Sequence, residues 1–427
     1  MKLRLGYGLT NRAGGRNYAY SSTLNSVTTG FGGVALLNNE IGNPDLKWEQ
    51  TNYSNIGLDG AFFNWRLSFS VDFYLRRTDD LAMLISLPMY SGTTVASWPP
   101  GPLKAPYVNI GSMENKGFDF RISSTNISGK DFTWKTDLTV SHNENKVIKL
   151  NAEGASIDRT YSKTIPGRSM GEFYGYVVEG VFATPVDFLG DEANGIAPHA
   201  RPVRNGEPIP VANASGSIWY GDLKFKDVNG DGIIDERDQE YLGSPIPMVQ
   251  LGLSNTFTYK NFDLSIFFNS SYGNKIYNVT RKRHEDPQGN TAYFVGLNDY
   301  AKLGLVDPEG SASDINNVYV INADTKLFGL RNDHTNGNDR VTDQYIEDGS
   351  FIKCKSVSLG YTFSSSLLQK IHVSSLRIYT TATNLFTITN YSGMDPEIGS
   401  WDPLSAGIDD GYYPQPRVFT FGVNLSL

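Results

Sequence analysis

One short segment concentrates side chains able to do chemistry. Asp227-Val-Asn229-Gly-Asp231-Gly232-Ile233-Ile-Asp235-Glu-Arg-Asp238 sets oxygen-bearing side chains at alternate positions. Asp227, Asn229 and Asp231 fall at positions 1, 3 and 5 of a calcium loop. Gly232 supplies the turn, the Ile233 carbonyl falls at position 7, and Asp238 takes position 12 in place of the usual Glu. A hard cation needs many oxygens from one stretch, and this spacing offers them, so the segment predicts a Ca2+ site. The shorter Asp238 side chain reaches less easily for bidentate contact, which predicts modest affinity. The alternative reading of the same residues is an acidic loop of Asx turns with no metal.

The remaining candidates are aromatic. Trp98, Trp219 and Trp401 lie in long connections, where an indole face can stack on a sugar ring, pack against a peptide or anchor its own loop. Catalysis is not indicated. The five histidines are scattered without metal-ligand spacing, and neither GxSxG, GxGxxG nor a P-loop pattern occurs. Cys354 stands alone, so no internal disulfide or zinc cluster can form. The chain reads as a non-enzyme.

The elements that must position these residues follow from composition. Hydrophobic residues make up 39% and charged residues 19%, both below ordinary globular usage, while Gly (43), Tyr (24) and Phe (23) are abundant. That mixture favours strands and turns over coiled coils, helical repeats or disorder. The net charge of −8 is spread without a basic stripe, which argues against nucleic acid. No run is long and apolar enough for a membrane helix. The first residues, Met1 to Tyr7, alternate at once with no leader-like apolar stretch, as in a chain that begins mid-strand.

Period-2 alternation marks the strands. From Trp65 to Leu75 the odd positions are apolar and the even ones mostly polar, and Phe419, Phe421, Val423, Leu425 and Leu427 share one face near the end. Ten long strands are predicted, at about 2–10, 49–59, 64–76, 113–126, 131–145, 249–259, 261–272, 351–363, 375–387 and 416–427. Most exceed the ~5–6 residues usual in soluble sheets and approach the ~9–11 of a tilted membrane strand. Short links alternate with long ones without exception. Aromatic clusters sit beside the short links, as at Phe63-Asn-Trp65, Phe132-Thr-Trp134 and Tyr259-Lys-Asn-Phe262. The fold class is therefore all-β: an antiparallel transmembrane β-barrel portion, with short periplasmic turns, long extracellular loops and an aromatic girdle at the inner interface.

A series of blocks in fixed order then carries a family likeness: Asn43-Pro-Asp-Leu-Lys-Trp-Glu49, Glu114-Asn-Lys-Gly-Phe-Asp119, Gly171-Glu-Phe-Tyr-Gly-Tyr176, Phe225 to Gly232, Asp348-Gly-Ser-Phe-Ile-Lys353, Asn384-Leu-Phe386 and Pro414-Gln-Pro-Arg417. Over essentially its whole length the chain resembles the C-terminal part of SusC/RagA-like TonB-dependent outer-membrane transporters. The resemblance implies a barrel of about 22 strands with an N-terminal plug, of which residues 1–427 would be the C-terminal barrel part. It implies residence in the outer membrane of a Gram-negative bacterium and contact with its lipid. A SusD-like surface lipoprotein and, through a part absent here, the TonB complex are the implied partners, and an oligosaccharide or peptide the implied cargo. Residues 146–248 would form a large extracellular region carrying the 227–238 loop. The terminal Leu427 departs from the aromatic residue more usual at the end of such barrels. The competing reading is a soluble cell-surface β-sandwich adhesin or glycan-binding protein with a dockerin-like calcium loop.

Overall fold

The structure is a computed structural model and describes residues 1–28, 31–84, 103–150, 154–286, 292–331, 333–364, 368, 373–400 and 402–426. Alternating residues commit the ten segments to strands, because each face then meets a single kind of surroundings. They are β1 (Lys2–Arg12), β2 (Glu49–Phe62), β3 (Leu67–Leu84), β4 (Tyr107–Ser128), β5 (Phe132–Lys149), β6 (Val249–Tyr259), β7 (Phe262–Tyr272), β8 (Phe351–Thr362), β9 (Ser375–Thr389) and β10 (Val418–Ser426). They pair antiparallel in chain order into one ten-stranded sheet. The other sheets have two to four strands and belong to the connections. Two comparable sheets face to face, which the soluble sandwich requires, are not what this chain builds.

Register turns the alternation into continuous rows. Leu3, Leu58, Val71, Phe120, Val140 and Leu251 stand side by side across six strands. One residue along, Lys2, Asp59, Ser70, Arg121 and Thr139 form a polar row on the opposite face. A slip of one residue would exchange the rows, so the pairing is strongly specified. The aromatic clusters gather at the short-turn end, where Phe62 stacks on Phe69 at 6.0 Å, Trp134 on Phe257 at 5.7 Å, and Phe262 meets Tyr361 at 4.7 Å. The tightest turn is Lys260-Asn261, with Lys260 in the left-handed region at φ 53°.

The β3–β4 hairpin runs beyond its predicted end, to Leu84 and from Tyr107. Two register shifts, between Thr78 and Leu81 and between Leu81 and Ala82, break the alternation there, and Asp80 adopts φ 56°. Pairing continues past a bulge although the pattern does not.

All long connections leave the sheet at the end opposite the short turns. Three of them, 150–248, 273–350 and 390–417, fold together. A first core gathers Phe182, Phe188, Trp219, Phe225 and Ile234 from one connection with Val318, Val320 and Phe328 from the next. A second joins Phe173 to Tyr277, Val279 and Tyr345, with Ile408 of the third connection packed against it. Short strands tie the same segments: Tyr277 and Asn278 pair with Ile408 and Asp409 on one side, and Lys275 to Tyr277 with Asp348 to Ile346 on the other.

Candidate functional site

The polar face of the wall is itself a site. Arg4 donates to Asp59 at 2.8 Å, to Asp72 at 2.8 Å and to Ser70 at 3.0 Å. Ser70 in turn donates to Asp59 at 2.8 Å, and Tyr74 reaches Asn143 at 3.0 Å. Lys2 and Arg121 stand in the same polar row, so the two carboxylates around Arg4 sit among cations on this face. A hydrogen-bonded polar row opposite an apolar one is what separates a wet interior from lipid.

Above the wall, buried polar groups hold the folded connections. Asp222 is 2% exposed and accepts from the Trp219 amide at 2.8 Å, Asn338 at 2.8 Å and Arg331 at 3.2 Å. Burial pushes its carboxyl up to about 6, against the pull of these three donors. Asn336 and Asn338 complete the tie by bonding the Leu223 carbonyl and amide.

A second tie fastens the 390–417 connection to β8. Lys353, buried in the strand, donates to both oxygens of Asp395 at 2.9 and 2.7 Å and to Glu397 at 2.8 Å, while Lys355 also holds Glu397 at 2.6 Å. Burial pushes the Asp395 and Glu397 carboxyls up, but the lysine hydrogen bonds carry both below the ordinary carboxylate range. The sequence reading quoted Lys353 inside a block without giving it a role. Its partners lie more than forty residues away, and no local pattern announces them.

The 227–238 loop shows how its own donors are spent. Asp227 accepts from the amides of Gly230 at 2.7 Å and Gly232 at 2.8 Å, and Asn229 from that of Asp231 at 2.9 Å. Asp231 accepts from the Ile233 amide at 3.1 Å and from Asn229, and its second oxygen also meets the Arg237 guanidinium at 2.7 Å. Asp238 takes the Val228 amide at 3.0 Å and the Asp235 amide at 2.7 Å. Arg237 further holds Asp235, whose carboxyl lies below its usual range through that hydrogen bond. Among the described residues no group of three or more His, Cys, Asp or Glu converges closely enough to hold a metal. Asp227, Asn229 and Asp231 form nested Asx turns, and the Asn229 amide and the Ile233 carbonyl of the calcium spacing are not among those residue types.

Trp219 lies inside the folded connections. It is 3% exposed, stacked on Phe188 at 6.1 Å and edge-on to Tyr220 at 5.3 Å, so it offers no face to a ligand and anchors its own loop. Trp98 and Trp401 lie outside the described residues.

Comparison with known proteins agrees with this geometry. Residues 1–231 match a family model described as TonB dependent receptor-like, beta-barrel. The chain belongs to that family. Among its relatives, TonB-dependent receptor P3 of Formosa agariphila is 31% identical over the whole chain and 39% of its own length. TonB-dependent receptor SusC of Bacteroides thetaiotaomicron is 29% identical over the whole chain and 37% of its own length. The chain thus spans about two-fifths of the length of the curated relatives it matches. The solved RagAB peptide transporter shares the fold at TM-score 0.67 and 22% identity, covering the whole chain and 40% of that protein. The same importer in its closed-closed state gives TM-score 0.69. The TonB-dependent receptor chain is accordingly similar to SusC in sequence and to the RagAB transporter in fold, and its sheet is barrel wall in the outer membrane of a Gram-negative bacterium.

Proposed function

We propose that this chain forms part of the wall and outer face of a TonB-dependent importer that takes up an oligosaccharide or a peptide. One observation supports this reading above the others: a barrel-wall sheet with a polar row on one face carries its long connections at one end, three of them folded into a body with its own cores. On this reading residues 1–427 are a C-terminal barrel part, and the 146–248 region lies outside the cell. The outer body is where a SusD-like lipoprotein would seat as a lid, and energy would come from the TonB complex through another part of the protein. The residues that carry the reading perform no bond chemistry; they shape, line and cover a passage. Uptake of labelled oligosaccharides and of labelled peptides by cells with and without the protein is the test. Uptake of one class that requires both this protein and TonB supports the proposal, and uptake of neither refutes it. Sidedness is read separately. Asn213 is exposed, and cysteine placed there should react with an impermeant reagent on intact cells rather than only after lysis.

A further inference from the structure

Between the 273–350 and 390–417 connections lies a cavity of about 410 Å³, the size of one amino-acid side chain with its neighbours. Its floor comes from a short helix and a strand end. Asn278 caps the helix Val279–Glu285 by accepting from the Arg281 amide at 2.8 Å, and Asp409 pairs beside Asn278 in the small sheet. Asn278, Glu285 and Asp409 are 2%, 5% and 3% exposed. The rim is apolar and open: Phe294, Met394 and Tyr412 are exposed.

The donors on this floor are already used. Arg281 gives its Nε to Glu285 at 2.9 Å and an Nη to Glu347 at 3.3 Å. Asn278 donates to Glu347 at 3.1 Å, as does the Ser392 hydroxyl at 2.8 Å, and Tyr391 donates to Asp409 at 2.5 Å. One strong acceptor is left open. Glu285 Oε2 is buried at the cavity wall and has no hydrogen-bond partner. The network also carries three carboxylates (Glu285, Glu347 and Asp409) against the single Arg281, an excess of two negative charges.

A buried acceptor short of a partner, on a floor with excess negative charge, selects its ligand. A sugar hydroxyl both donates and accepts, and a carboxylate only accepts; a protonated amine only donates, and carries the charge the network lacks. Aromatic and thioether groups at the rim suit a cation on an aliphatic stem. We propose that this cavity binds a primary ammonium group, with Glu285 as its counter-ion and Phe294, Met394 and Tyr412 packing around the stem. The same chemistry is offered by a lysine side chain, a peptide N-terminus or an amino sugar. The inference takes from the import reading only that this face is turned outward. Binding is measured in detergent without transport, so each can fail without the other.

Calorimetric titration of the intact outer-membrane protein that contains this chain tests it. The ligands are Nα-acetyl-lysinamide, glycyl-norleucinamide and glucosamine, with Nα-acetyl-norleucinamide as the neutral control. At least one amine should bind tenfold or more tightly than the control, and the one that does names the source. Glu285→Gln, which keeps the size of the side chain, should remove that preference. Tyr412→Ala, at an exposed position that does not threaten folding, should weaken amine binding several-fold. Equal affinity for amine and control, no binding of any amine, or an amine preference that survives in a folded Glu285→Gln protein would overturn the assignment.

Discussion

Substituting arginine at two adjacent positions of β3 separates a membrane wall from any other sheet. Val71 stands in the apolar row between Leu58 and Phe120, whereas Ser70 stands in the polar row beside Arg4 and Asp59. A rise of about 3.4 Å per residue at a tilt of ~40° puts Val71 roughly 10 Å above the start of β3, well inside an apolar band of ~25 Å. Arginine on the lipid face at that depth costs about 2–4 kcal/mol, which lowers the folding equilibrium roughly 30- to 700-fold. At Ser70, on the polar face, the new guanidinium meets the Asp59 and Asp72 carboxylates that Ser70 now bonds, beside Arg4 and the cross-strand Arg121. It loses one serine hydroxyl network but stays in a wet polar row, so the expected net change is within about 1 kcal/mol. The assay is urea unfolding of the full-length protein in lipid vesicles, followed by tryptophan fluorescence, for Val71→Arg and Ser70→Arg side by side. Equal losses, or a larger loss at Ser70, would refute the assignment of the two faces.

Three further outcomes are expected. Lys353→Met leaves Asp395 buried without its cation, which should cost about 3–5 kcal/mol and expose the 390–400 stretch to protease; Lys353→Met combined with Asp395→Asn should recover part of that loss. The Asp222 carboxyl titrates near 6 when folded and near 3.8 when unfolded, so the folded connections bind its proton more tightly. The Asp222 contribution to their stability should be greatest below pH ~4 and fall by up to ~3 kcal/mol as pH rises through ~6, a slope that appears as the difference between wild type and Asp222→Asn in thermal melts. In the 227–238 loop Arg237 bridges Asp231 and Asp235, so proteolysis should be faster in Arg237→Ala; slower digestion with calcium than with chelator in the unsubstituted protein supports the Ca2+ reading, and equal digests support the metal-free Asx-turn reading.

The wall was legible because lipid on one side and water on the other impose a period of two over long runs. All ten strands of the sheet were predicted, most to within a few residues of their ends. Legibility stopped where the physics became non-local. Beyond Thr78 the β3–β4 pairing survives a bulge, but the alternation that announced it does not. The outer body is invisible in the sequence for a related reason. Asp222 meets Arg331 and Asn338 across more than a hundred residues, and Lys353 meets Asp395 across forty-two. The calcium spacing was legible as a pattern, yet the pattern does not say where each carboxylate points. Asp238, at position 12 of the spacing, accepts from the Val228 and Asp235 amides, contacts that the spacing does not announce.

The same residue type therefore has opposite meanings in the two halves of this fold. In the wall an aromatic side chain is stable because it is exposed, and Trp65 beside a short turn is 81% open in a position facing the membrane interface. In the long connections water surrounds the chain, and an aromatic side chain is stable only if buried. Trp219 at 3% exposure follows that rule and builds the core that lets a connection of this length hold a shape. A tryptophan in such a loop is thus first a candidate for the loop's own core. Ligand recognition on the outer body is better sought where polar groups are buried and left short of partners, because burial without a partner costs free energy that a ligand can return. Glu285 meets that condition at a cavity wall, whereas the Trp219 indole N–H, also buried without a partner, lies inside a packed core.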